Sequence, residues 1–269
     1  MAGPRRDTRG IVDASALMTR VRFRRVEPAP PLRPYVEHYW LVDWALDAPY
    51  VTRVVPHPSV NLVFQRDGAR AAGAVVSGVG RELFTRELAG TGRVCGVQFR
   101  PGGFRGFAPA LPVSHWTGRQ VPPAEVFGRD LAPEVDAVLG PEREEARVAA
   151  LDAFLLGLGP EPDPRVETAM ALADRIRRDR TVRRVDAVAR AEGLTVRSLQ
   201  RLFAAYVGVS PKWVILRYRV HEALERAAAA PGRAVDWAAL AAELGYSDQA
   251  HLVRDVTATV GVPPTTLTR

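Results

Sequence analysis

The stretch LTVRSLQRLF, residues 194–203, sets two arginines, a glutamine and a serine between leucines and a phenylalanine. Wound as a helix, Leu199, Leu202, Phe203 and Tyr206 follow the i, i+3, i+4, i+7 spacing of a buried stripe. Arg197, Gln200, Arg201 and Ala204 then share the opposite face. A guanidinium can pair bidentately with the guanine edge in the DNA major groove, and a carboxamide with the adenine edge. Any solvated helix can also present arginine and glutamine, so the surrounding elements must decide between the two readings.

Those elements repeat. VDAVARAEGLT (185–195) and WAALAAELGYS (237–247) match at an offset of 52, pairing Val188 with Leu240, Ala189 with Ala241, and Gly193 with Gly245. Beyond the glycine the offset becomes 53, pairing Leu199 with Leu252, Arg201 with Arg254, and Phe203 with Val256, which implies one extra residue in the second turn. Each copy reads as a short amphipathic helix, a glycine turn and a second helix. Thr195 is placed to cap the second helix of the first copy, and Ser247 or Asp248 that of the second. The pattern predicts two helix-turn-helix units, 185–206 and 237–258, whose second helices enter the major groove. In the second unit Gln249, His251, Val253 and Arg254 are placed to reach DNA, while Asp255 stands where the first unit has Leu202. PKWVILRYRVHEALERAAAA (211–230) reads as one connecting helix that would hold two reading heads about 34 Å apart, one helical turn of DNA.

From Val166 to Arg269 the sequence resembles the AraC/XylS family of bacterial transcription regulators. The resemblance rests on VETAMALADRI, VARAEGLTVRSLQRLFAAYVGVSP, Arg219 with Ala223, and LAAELGYSDQAHLVRDVTATVGVPPTTLTR. Two features depart from it: Arg226-Ala227 replaces a leucine pair, and Val256 a phenylalanine. The resemblance implies binding to double-stranded promoter DNA, with Arg197, Gln200 and Arg201 as base readers in the first unit and Gln249, Val253 and Arg254 in the second. It further implies a cupin-like β domain that senses a small-molecule effector or forms a homodimer, and a contact with RNA polymerase. GVQFRPGGFRGF and LPVSHWTGRQVPPAEVFG are similar to the N-terminal region of an actinobacterial branch of such proteins.

The N-terminal half has a different grain. After PAPPLRP (28–34), six short segments rich in Val, Phe and Tyr follow: 38–44, 50–55, 60–65, 74–80, 83–88 and 93–99. They predict a small β barrel with flanking helices at 130–140 and 144–159. GPEPDP (159–164) marks the expected boundary between a β-rich domain, 26–160, and an all-α domain, 161–269. The fold expected is therefore α+β and multidomain.

Charge adds less than its total suggests. The net charge is +7, but residues 1–25 hold seven arginines against Asp7 and Asp13, which reads as a disordered basic tail. Met18 lies inside it and is a second candidate start. Lys212 is the only lysine. Five separate histidines and the single Cys95 give no metal signature, and Ser59, Ser77 and Cys95 lack a nucleophile motif. No enzyme, metal or cofactor is expected, nor a membrane span. RPGGFRG (100–106) reads as a strand-to-helix turn rather than an anion cradle. Tyr39, Trp40, Trp44, Phe64, Phe84, Phe99 and Phe104 are core residues or the walls of a pocket. A cytoplasmic DNA-binding transcription regulator under effector control is the reading that results. Two alternatives are a ligand-independent binder whose N-terminal half only dimerises, and an enzyme fused to a DNA-binding module.

Overall fold

The computed structural model describes residues 8–68, 70–228 and 235–266. A short helix, α1 (Ala14–Met18), leads into strands β1 (Val21–Val26), β2 (Val36–Val54), β3 (Asn61–Asp67), β4 (Arg70–Ser77), β5 (Phe84–Phe99) and β6 (Gln120–Val121). They form one antiparallel sheet in the order β1-β2-β5-β3-β4-β6. Three helices follow: α2 (Pro123–Phe127), α3 (Ala132–Leu139) and α4 (Glu144–Leu158).

Strand alternation divides the side chains between two faces. Tyr39, Leu41, Leu62, Phe64, Val76, Cys95, Val97 and Phe99 are buried on one face, in the same core as Val138, Leu151 and Phe154 of α3 and α4. Trp44, Val94 and Val21 lie on the other face under Leu17 of α1, with Trp40, Val42 and Phe23 half-buried beside them. The aromatic residues expected together are thus split, and most are plain core.

Three expectations need correction. The sheet is not a closed barrel: β1 and β6 end it, and no pairing joins them among the described residues. Helices cover one face where a barrel would fold strands back. Second, 38–44 and 50–55 are one strand, as are 83–88 and 93–99. The Asp47-Ala48-Pro49 break is absorbed as a bulge between the Leu46–Gly90 and Tyr50–Leu88 pairs. Third, the basic tail is structured from Thr8 onward, and residues 1–7 lie outside the described residues. β1 is a true edge strand pairing with β2 over its full length, and its Arg22 and Arg24 ion-pair with Glu144 of α4. A start at Met18 would remove Leu17 from its core and the ion pair between Arg9 and Glu225.

From Pro164 the described chain is helical: α5 (Pro164–Arg178), α6 (Val185–Ala191), α7 (Val196–Tyr206), α8 (Pro211–Ala228), α9 (Trp237–Glu243) and α10 (Gln249–Val260). The hydrophobic core does not stop at 159–164. One cluster runs from the sheet through Met170 and Leu172 of α5 to Leu199, Phe203 and Val214. A second surrounds α9 and α10 and takes in Val55, with Val12 and Leu83 packed against it. Both helical units are therefore seated on the β domain.

Candidate nucleic-acid interface

α6 and α7 are joined by residues 192–195 and α9 and α10 by residues 244–248, which is the extra residue implied by the change of offset. Gly193 and Gly245 turn the chain with φ of 64° and 74°, a conformation that any Cβ would strain. Each following helix begins on a side-chain cap. Thr195 Oγ1 accepts from the Ser198 N–H at 3.0 Å, and Asp248 Oδ1 from the His251 N–H at 2.7 Å. The Asp248 carboxyl is held below the usual range by that N–H and by the Ser247 hydroxyl.

In α7, Leu199, Phe203 and Tyr206 are buried and Arg197, Gln200 and Arg201 are exposed. The side chains of these three exposed residues make no ion pair or hydrogen bond among the described residues. They form a preassembled set of donors on a rigid element. Thr117 Oγ1, from the β domain, donates to the Gly208 carbonyl just after α7 at 2.7 Å and fixes that end.

α10 is built differently. Gln249 and Arg254 are exposed, whereas Val253 is half-buried and packs against the second core. Asp255 is half-buried, and its carboxylate helps hold the Tyr246 hydroxyl in its protonated form, chiefly an effect of burial. His251 sits between Ser247 Oγ at 3.2 Å and Asp255 Oδ2 at 3.8 Å. The open polar surface is smaller than that of α7.

Several bonds seat α5 and α8 on the β domain. Arg177 pairs with Glu37 at 2.8 Å, and Arg217 donates to the Arg81 carbonyl at 2.8 Å. His221 stacks on His57 with ring centroids 4.1 Å apart and planes 9° from parallel. Burial, with His57 and Arg217 beside it, holds the His221 imidazole well below its ordinary pKa, so this contact is made by a neutral ring. Nothing local in the sequence marks this partner, 164 positions away. Residues 100–106 turn the chain from β5 into a short 3-10 helix, Gly103–Gly106, as expected; Gly103 lies against the Tyr35 backbone, and Arg100 pairs with Asp174.

The remaining chemistry is muted. Cys95 is buried and its thiol is pushed up to about 11 by desolvation, far from a nucleophile's range. Ser59 is buried. Among the described residues no cluster of three His, Cys, Asp or Glu is placed to hold a metal, and no helix is long and apolar enough to cross a membrane.

Comparison with known proteins agrees with this geometry. Residues 188–269 match a helix-turn-helix domain, and residues 24–122 match a domain of unknown function, DUF6597. Residues 188–269 are thus a helix-turn-helix domain, the class of module whose second helix enters the DNA major groove. Among curated proteins no sequence match is found. Solved structures of ToxT from Vibrio cholerae are similar at a distance. One matches with TM-score 0.44 and 9% identity, covering 86% of this chain and 96% of that one. The unsaturated-fatty-acid-bound form of ToxT matches with TM-score 0.41 and 11% identity, covering 85% and 94%.

Proposed function

We propose that the chain is an AraC-type regulator of transcription that reads two adjacent major-groove segments, with α7 as the principal reader. The carrying observation is that Arg197, Gln200 and Arg201 stand exposed and unpaired on a capped, well-packed helix. Each bidentate base contact contributes about 1–3 kcal/mol of discrimination. From α10, Gln249 reaches a base edge, Val253 offers an apolar edge to a thymine methyl, and Arg254 holds a phosphate. Phosphate contacts from exposed cations such as Arg190 and Lys212 supply affinity that falls with salt.

The β domain is the regulatory half. An open cleft of about 530 Å³, lined by Asp43, Trp44, Arg66, Asp67 and Arg93, offers an aromatic wall and charged groups to a small polar effector. The bound form of ToxT named above takes a fatty acid; the cleft here sets Trp44 beside the Asp43–Arg93 ion pair. Homodimer formation and contact with RNA polymerase complete the working assembly.

Selection of genomic DNA fragments by the full-length protein at near-physiological salt tests the reading, with Arg201→Ala in parallel. A recovered bipartite motif that loses sharpness at one position in the variant supports it. Equal specificity of the two proteins would refute the role given to Arg201. Thermal-shift screening of the full chain tests the effector, because the shared core makes residues 1–160 a poor isolate.

A further inference from the structure

The two units touch through an arginine clasp distinct from their reading faces. Arg183 lies in the loop between α5 and α6, on the approach to the first unit. Its Nη2 donates to the Glu243 carbonyl at 3.3 Å, where α9 of the second unit ends. That carbonyl belongs to the last turn of a helix, where acceptors lack intrahelical partners. The Arg183 side chain also lies on the Gly245 turn, so closely that a Cβ on Gly245 would overlap it.

Arg219 of the connector α8 closes the clasp. Its Nη2 donates to the Arg183 carbonyl at 3.0 Å, and its guanidinium lies 5.6 Å from the ring centre of Tyr246, beside the same turn. An ion-pair chain runs parallel to it: Arg180 to Glu222 at 2.8 Å, Arg226 to Glu222 at 3.0 Å, and Arg226 to Glu243 at 3.7 Å. The approach to the first unit, the connector and the turn of the second unit are thus joined at one place. A connector helix alone fixes the distance between its ends. It does not fix how each unit rotates about it, and the clasp restrains that rotation.

We propose that Arg183 and Arg219 are positioning residues that set the rotational phase between the two reading helices, so that the protein accepts two half-sites at one spacing only. The inference rests on the two-headed reading above. One inserted base pair moves a half-site by about 3.4 Å and turns it by about 35°. A rigid pair of heads cannot follow that change, and the gain from simultaneous engagement is lost.

The test uses the full-length protein and the operator fragment that it selects, with the spacer between half-sites changed by one or two base pairs. The measured quantity is the ratio of affinities for altered and native spacing. A ratio cancels any phosphate contact, because a lost phosphate contact weakens every spacing alike. For the unaltered protein one extra base pair should weaken binding about tenfold or more. In Arg183→Ala and Arg219→Ala the penalty should fall to about threefold or less, with affinity for an isolated half-site unchanged. Arg219→Lys, which keeps a donor but not the planar stack, should restore part of the penalty. Arg183 is exposed, so its variant folds even if loss of Arg219 weakens the second unit. A folded Arg183→Ala with the full penalty would overturn the inference, as would an unaltered protein that tolerates any spacing of a bipartite motif. Recovery of no motif by the unaltered protein would instead overturn the DNA-reading assignment, and the inference with it.

Discussion

The second helix of the first unit is capped by a hydroxyl, filled by Phe203 and faced by three exposed polar side chains, Arg197, Gln200 and Arg201. Its counterpart is capped by a carboxylate, filled by Val256, and carries Asp255 and a half-buried Val253 where the first has Leu202 and Gln200. The backbone path is shared down to the positive-φ glycines. The supporting core is not, since α7 joins the large core of the β domain while α10 belongs to a smaller cluster completed by Val55. One architecture therefore holds a well-anchored polar helix and a less polar one, whose placement depends on its neighbours.

The largest test of that contrast is in the cores. Phe203→Ala removes a fully buried ring and should cost about 3–5 kcal/mol of unfolding free energy. Val256→Ala at the matching position should cost about 2 kcal/mol. Urea denaturation of the two variants measures both, and equal losses would remove the distinction between the cores. A chain started at Met18 comes next. It loses the Leu17 contact, the Val12 contact with the second core and the ion pair of Arg9 with Glu225, worth about 3 kcal/mol in apolar burial. Hydrogen exchange should show α9 and α10 losing more protection than α6 and α7.

At the reading faces the contrast is one of kind. Arg201→Ala should relax base preference by about 1–3 kcal/mol at one position. Arg254→Ala should weaken binding nearly uniformly and reduce the salt slope by about 1. Selection followed by salt titration separates the two. Positional relaxation by Arg254→Ala equal to that of Arg201→Ala would make the two units equivalent readers.

The repeat was legible because its signals are local: a glycine turn, an apolar stripe at helical spacing and a cap. Even the extra residue of the second turn could be read from the change of offset. What depends on distant partners could not be read. Arg22 and Arg24 resemble tail arginines until Glu144 of α4 is brought beside them, and only then is VRFRRV an edge strand. Pro49 reads as a strand end, because nothing in the sequence shows that a bulge will carry the ladder past it. Neighbouring Tyr39 and Trp40 read as one aromatic cluster, and strand alternation sends them to opposite faces. Nothing local shows that Arg183 and Arg219 form a clasp, since both of its hydrogen bonds go to backbone carbonyls.

The smallest expected difference lies in the caps. Thr195 carries no ionisable group, so its hold on α7 is indifferent to pH. Asp248 is ionised when it accepts the His251 N–H and the Ser247 hydroxyl, and its carboxyl is depressed in the folded protein. A depressed carboxyl stabilises the fold at pH above its unfolded value of about 3.9, and that contribution is lost as pH falls through the folded value. Acidification below about pH 4 should therefore fray the first turn of α10 before that of α7. Amide exchange of His251 and Ser198, followed together against pH, reads the two caps in one experiment. Asp248→Asn keeps a side-chain acceptor without the titration, so it should flatten the His251 profile and leave Ser198 as it was. If the His251 profile in that variant still fell with acid, the pH response would belong to another group, with His251 and Asp255 the first to test.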